Sequence, residues 1–235
     1  MDEGRTVFVA DGVLVVGASR GTGLEVVRLL AARGEAVTAF VRPTSDFAAL
    51  LKLRVKLCKG DVLEPRSVTA ALAAGGFRAV IDTVGGARGE PRPDYHGTRN
   101  LVDATRAAGI RRFLFVTAIG CGDSRGAVAP KVLEYLGAVL DEKTRGEDYL
   151  MASGLEYTIL RPGGMTHDPA SGTAIRTEDR KAMGTINRAD LARLVVDCLD
   201  DPLAIGKVYH TIDPAIVRQP PLQRGEDLPG GPVGK

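Results

Sequence analysis

The chain has 235 residues, 44% of them hydrophobic and 26% charged, a balance that excludes a wholly disordered or fibrous protein. Lysine and arginine number 31 against 29 aspartates and glutamates, a formal charge of +2 that gives no chain-wide pull toward nucleic acid or an anionic membrane. The longest apolar runs are strand-sized, far short of the ~20 residues of a membrane span. The acidic N-terminus shows no signal-peptide core, so a cytoplasmic protein is expected.

In chain order, residues 13–17 (VLVVG) are an unbroken apolar run and read as a strand. Residues 21–33 follow as an amphipathic helix with Leu24, Val27, Leu30 and Ala31 along one face. Residues 36–41 predict a second strand and 47–53 a short helix. Strand 55–59, helix 65–74 and strand 79–83 come next, then helix 94–108, which passes through Gly109 into strand 112–117. A long helix over 130–153 leads to strand 157–160, and helix 188–199 and strand 207–211 close the series. Strands and helices alternating at this spacing are the pattern of right-handed βαβ units. Strands that are apolar without alternation, such as 13–16 and 113–116, are those covered on both faces.

The expected fold is therefore α/β, a single-domain, doubly wound parallel sheet (a Rossmann fold) over residues 12–215. Residues 1–11 read as an extension in which 6–10 could add an edge strand. The proline- and glycine-rich segment 216–235 reads as a disordered tail. Cys58, Cys121 and Cys198 are odd in number and far apart, and His96, His167 and His210 are scattered. Neither a disulfide framework nor a metal site is expected.

The segment VLVVGASRGTG carries the most information. Gly17, Gly21 and Gly23 form G-x-x-x-G-x-G directly after a strand and at the start of a helix. Gly17 permits the tight turn, the later glycines let the backbone close on a diphosphate, and the helix N-terminus offers unpaired N–H groups to its oxygens. Ser19, Arg20 and Thr22 complete the loop's cofactor-binding set. An NAD site usually ends its second strand with an acidic residue on the ribose; here that strand ends in Arg42, with no carboxylate before Asp46. Arg42 and Arg20 together favour the 2′-phosphate of NADP(H), the alternative being that both are merely solvated. Asp61, in Lys59-Gly60-Asp61-Val62, can accept from the adenine amino group while Val62 packs beside the ring; the alternative for Asp61 is a helix cap before Pro65. Thr83, Val84 and Gly85 lack bulk, which lets a cofactor pass close to the backbone.

With these motifs in view, the chain resembles the short-chain dehydrogenase/reductase superfamily. Specifically, it resembles the atypical NAD(P)H-binding branch with the NmrA-like and flavin reductase/biliverdin-IXβ reductase types. The landmarks are GASRGTG, the GDV after the third strand, GTRNLVDATRAAGIRRFLFVT over 97–117, and KTRGEDYLMASGLEYTILRPGG over 143–164. The resemblance implies a catalytic Tyr-x-x-x-Lys pair with a serine or threonine after the fifth strand. Lys143 stands in the lysine position, but Val139 replaces the tyrosine. Thr117 is the candidate hydroxyl, unless Ala118 takes that register. Glu147, one turn after Lys143, makes an intrahelical ion pair the competing reading of both residues. Tyr135, two turns before Lys143, reads as core in preference to pocket. Pro162 and Gly163, with Gly164, are implied to place backbone groups against the nicotinamide carboxamide.

The function expected is an NADPH-dependent oxidoreductase that passes hydride to a flavin-, quinone- or bilin-like small-molecule acceptor, since such transfer needs no tyrosine proton donor. One alternative is a non-catalytic NADP(H)-binding redox sensor that docks on a protein partner. Another is a sugar or alcohol dehydrogenase/epimerase of the extended branch. Residues 85–93 and 165–181 are expected to frame the substrate, with neither His167 nor Asp168 assigned as an acid.

Overall fold

The computed structural model of the chain describes residues 11–86 and 92–216. The expected edge strand over 6–10, the middle of the 85–93 loop and the expected tail beyond 216 lie outside the described residues.

The chain opens with β1 (Gly12–Val16), α1 (Gly21–Ala32), β2 (Val37–Val41), the single turn α2 (Ala48–Leu51) and β3 (Lys56–Lys59). It continues through α3 (Pro65–Ala73), β4 (Phe77–Asp82), α4 (His96–Ala107) and β5 (Arg112–Val116). A 3-10 turn, Gly122–Ala127, precedes the long helix α5 (Pro130–Met151), which begins with proline at a position where a missing N–H costs nothing. Then come β6 (Glu156–Pro162), β7 (Gly164–Thr166), β8 (Ile175–Thr177), β9 (Thr185–Asn187), α6 (Arg188–Leu199) and β10 (Lys207–Ile212). Asn187 caps α6, its side chain accepting from the Asp190 N–H.

The main sheet runs β3-β2-β1-β4-β5-β6-β10-β8, parallel throughout except for β8, which is antiparallel to β10 at the edge. Strand order reverses between β1 and β4, where ligands bind in open α/β sheets, beyond the carboxyl ends of the strands. Residue alternation divides the interior into two cores. Val13 and Val15, Ala79 and Ile81, and Leu114 and Val116 face the α1/α6 layer. Leu14 and Val16, Phe77 and Val80, and Phe113 and Phe115 face the α3/α4/α5 layer. Both faces are thus dry, which is why these strands read as continuous apolar runs.

The short strands β7, β8 and β9 have no counterpart in the sequence reading. Each is three residues long, too short to establish a period. β7 and β9 form a separate parallel pair joining Gly164 to Thr185 and Thr166 to Asn187. β4 ends at Asp82, one residue before the expected limit. Thr83 has left the strand and donates its N–H to the Val16 carbonyl at 3.1 Å.

Arg112 ties the sheet to α6. It is buried at the start of β5, donating to the Cys198 and Leu199 carbonyls at the C-terminal end of α6, to the Glu156 carbonyl at 2.7 Å and to Thr158 Oγ1 at 2.8 Å. Burial lowers the Arg112 pKa from its usual value, so the acceptors around it hold the charge in place. Arg112→Met strips these acceptors of their donor and is expected to cost about 3 kcal/mol. Thermal unfolding should register this as a fall of roughly 6–12 °C; a change within a degree would show that the network carries no net stability.

Candidate active site

A cleft of about 940 Å³ lies along the carboxyl ends of β1, β2, β4 and β5. Its floor is the turn between β1 and α1. Gly17 and Gly21 have positive φ, +78° and +56°. Gly23 is confined by close approach instead, since a Cβ there would stand 2.4 Å from the Gly17 carbonyl oxygen and 2.5 Å from Thr83 Oγ1. Thr83 fixes the junction by donating its hydroxyl to the Val16 carbonyl at 2.7 Å. The first turn of α1 holds no acidic residue, and its cap residue Arg20 makes no side-chain cap, so its N-terminal amides stay open to an anion.

Of the residues assigned from sequence, Gly17, Ser19, Arg20, Gly21, Thr22, Arg42, Asp61, Val62, Thr83, Val84, Gly85, Thr117 and Lys143 line this one cleft. Gly23, Pro162 and Gly163 do not. Gly23 packs beneath the loop. Pro162 is buried at the end of β6 opposite Thr211. Gly163 lies so close to the backbone of Gly184 that a Cβ would stand 2.1 Å from its carbonyl oxygen. Asp61 does not cap α3, whose cap position is Glu64 with no side-chain bond. It closes its own turn instead, Oδ1 accepting from the Leu63 N–H at 2.9 Å.

The Lys143–Glu147 ion pair, the competing reading of these two residues, does not form. Lys143 Nζ lies 3.0 Å from Asp94 Oδ1 and donates to the Val84 carbonyl at 3.4 Å. Asp94 is also 2.8 Å from Arg92 Nη2. Both contacts to Asp94 are ion pairs by distance without the angle of a good hydrogen bond. Glu147 turns the other way into the interior, where a lone carboxylate would be costly. It is wholly buried, accepts the Thr117 hydroxyl at 2.6 Å and is gripped by Arg161 through Nε at 3.0 Å and Nη2 at 2.7 Å. Arg161 in turn bonds Asp123, which pairs with Arg180 at 2.8 Å. Thr117 therefore has its single proton engaged by Glu147, and toward any further partner it can only accept.

Tyr135 is not core: it is 76% exposed. The packed face of α5 begins only at Gly137 and continues through Leu140, Lys143, Gly146, Glu147 and Leu150, so the first turns of the helix have no layer to cover them. Among the described residues no tyrosine lines the cleft.

The sequence reading also passed over residues the cleft contains. Phe40 and Arg188 line it, beside Met165, the first residue of the segment expected to frame the substrate. Asp82 and Asp94 form a buried acidic pair behind Lys143. Arg188 is the first residue of α6, as the helix expected over 188–199 has it, but the sequence reading does not make it a residue of the site. Its meeting with the glycine loop is purely tertiary. Among the described residues no group of three or more His, Cys, Asp or Glu is placed to hold a metal, and no helix is long and apolar enough to cross a membrane.

A doubly wound sheet with a glycine turn and an open helix N-terminus at its switch point is a dinucleotide-binding Rossmann protein. The chain belongs to the NAD(P)H-binding family, whose profile matches residues 17–202. It is 34% identical over 199 residues to an uncharacterized chloroplastic protein of Arabidopsis thaliana, across 80% of this chain and 71% of that protein. It is 31% identical over 195 residues to an uncharacterized sugar epimerase, YhfK, of Bacillus subtilis, across 80% and 88% respectively. Among solved structures, ChuY, an anaerobilin reductase from Escherichia coli O157:H7, matches with a TM-score of 0.80 at 32% identity, over 88% of this chain and 100% of that one. These likenesses support the atypical short-chain dehydrogenase/reductase type and an oxidoreductase-like NAD(P)-binding fold.

Asp82 gives the site a titration to follow. It is wholly buried at the end of β4, accepting from the Val84 N–H and the Thr98 hydroxyl, each at 2.9 Å. Burial pushes its pKa up from 3.8 to about 6, against the pull of those bonds and of Lys143. The folded state thus holds the proton more tightly than the unfolded chain. Stability from neutral Asp82 is full below pH ~4 and is lost as pH rises through ~6. Asp82→Asn removes that dependence, so its stability relative to the native chain should improve by about 3 kcal/mol between pH ~4 and ~7. Denaturant unfolding at the two pH values measures the difference, and one that does not move would show Asp82 titrating as an ordinary carboxylate.

Proposed function

We propose that the chain is an NADPH-dependent reductase that transfers hydride to a flavin-, quinone- or bilin-like acceptor without a tyrosine–lysine pair. The observation that carries this reading is the proton arrangement at the deep end of the cleft. Val139 stands in the tyrosine position, Lys143 is tethered to Asp94, and the Thr117 proton is committed to Glu147. An acceptor that takes its proton from water suits such a site better than a carbonyl or alcohol does. The likeness to ChuY, a reductase of a bilin, supports the same class.

The residues divide the work. The glycine loop and the α1 N-terminus take the diphosphate, while Asp61 and Val62 receive the adenine. Arg20 and Arg42, both exposed at the same end of the cleft, take the 2′-phosphate. Asp46 also lines that end, but its Oδ1 is occupied by the Ala48 N–H at 2.9 Å, starting α2. Lys143 holds the nicotinamide ribose, and Thr117 accepts from an N–H or O–H of whatever lies above it. When bound, NADPH supplies the hydride, and the acceptor takes it together with one proton from solvent to leave NADP+ and the reduced acceptor. The segment 164–187, carrying Met165 and His167 into the cleft, excludes water from the reacting end. On this reading the protein is cytoplasmic with a small-molecule substrate.

NADPH oxidation by the purified chain is measured with FMN, riboflavin, a benzoquinone and a bilin, beside binding titrations of NADPH and NADH. Turnover with one of these acceptors is expected. Tight NADPH binding without turnover would favour a sensor over a reductase, and efficient NADP+-linked oxidation of an alcohol or sugar would replace the acceptor class. In the same titrations Arg42→Asp should weaken NADPH about 10–100-fold and NADH less than about threefold. Equal losses would remove Arg42 from the 2′-phosphate.

A further inference from the structure

Arg188 is the cation that α6 brings to the cleft, and nothing in the sequence motifs assigns it a role. It opens α6 directly after its Asn187 cap and lies over the glycine turn. Its Nη1 is 3.5 Å, and its Cδ and Cζ 3.7 Å, from where a Cβ on Gly21 would stand. Its contacts are weak for a guanidinium: Thr22 Oγ1 at 3.4 Å and the Met165 sulfur at 3.3 Å. Its Nε is buried without a hydrogen-bond partner, and among the described residues it makes no ion pair. The nearest charge described as acting on it is another cation, Arg20, which together with the larger effect of burial lowers its pKa.

A half-buried guanidinium without a carboxylate, beside a second guanidinium, is a costly arrangement. An anion between Arg188 and the α1 N-terminus relieves it. The first turn of α1, with no acidic residue of its own, faces the same space. We propose that Arg188 is the second jaw of a diphosphate clamp, closing on the diphosphate of the dinucleotide from the side opposite the glycine loop. This rests on the dinucleotide-cleft reading above and adds to it a residue that binds the part common to NADH and NADPH. Arg188 is thereby separated in role from Arg42, which reads the part that differs. Planar, multi-donor geometry is what a diphosphate demands, so lysine replaces it only in part.

The test compares the native full-length chain with R188Q and R188K in titrations with NADPH and with NADH, each variant's thermal unfolding confirming that it folds. R188Q should weaken both nucleotides by the same factor, about 10–100-fold, and R188K should recover part of the loss in both. Unchanged affinity for both nucleotides in a folded R188Q overturns the clamp while leaving the cofactor reading intact. A loss confined to NADPH overturns it too, placing Arg188 at the 2′-phosphate. Failure of the native chain to bind either nucleotide overturns the cofactor reading and the clamp with it. A second measurement needs no variant: phenylglyoxal labelling of the native chain, mapped by peptide mass spectrometry. NADH, which has no 2′-phosphate, should protect Arg188, and equal labelling with and without NADH counts against the clamp.

Discussion

The closest approach of backbone to backbone in the cleft is the constraint on which the rest depends. Leaving β1, the chain must turn within contact of Thr83 at the end of β4 and then start a helix whose third residue sits on the carbonyl of Gly17. No side chain fits at either glycine. Because the turn is this tight, the axis of α1 is aimed at the point where β1 and β4 part company, and its unpaired amides face the crevice rather than solvent. Thr83 contributes twice, closing the junction with its hydroxyl and leaving the sheet so that Val84–Gly86 run past the opening with little bulk. The binding end of the cleft is thus largely made of main chain, which cannot rearrange without unfolding β1, β4 or α1.

The other end is governed by charge pairing. Two carboxylates, Asp94 just before α4 and Glu147 on α5, are buried close to one another's cations, and each needs its own. Lys143 serves the first and Arg161 the second. That partition has a chemical consequence. Gripped at two points by Arg161, Glu147 accepts the Thr117 hydroxyl and leaves that oxygen only an acceptor toward any further partner. Had Lys143 turned to Glu147, as its position one helical turn away allows, Asp94 would be left with only Arg92 and Lys143 would be drawn away from Val84. The tertiary demand to neutralise both carboxylates overrides a local i,i+4 pairing worth a few tenths of a kcal/mol.

These two ends explain how much of the molecule is legible in its sequence. The βα units up to β6, with β10, are legible because two-sided burial writes itself as apolar runs and amphipathic helices write a 3.6 period. The glycine turn is legible because its constraint is local, three glycines on one strand–helix junction. β7, β8 and β9 are not, since three residues carry no period and their pairing depends on contacts such as Gly163 against Gly184. Tyr135 misleads for a related reason: a helical period tells which residues share a face but not where along its length the helix meets the sheet. Arg188 is invisible as a site residue because it reaches the cleft from an element far along the chain from the loop it meets, and Asp94 because the lysine it pairs with, Lys143, lies on a distant helix.

The cleft is therefore polarised along its length. One end gathers positive charge, with Arg20, Arg188 and the α1 N-terminus converging on the glycine turn and Arg42 lining the cleft beyond it. At the other end Lys143 is paired with Asp94 and Arg161 with Glu147, and Val84 and Val116 add apolar surface. A dinucleotide has the same asymmetry, with its anionic groups on the adenosine side and a planar, reactive ring at the far end. Affinity is then concentrated where the protein has charge to spare. On the proposed function, Lys143 is the one cation assigned to the reacting end, and hydride transfer there gains most from orientation and exclusion of water rather than from proton donors. On the same proposal, a site so divided could change its acceptor by altering segment 164–187 without disturbing the turn assigned to the cofactor.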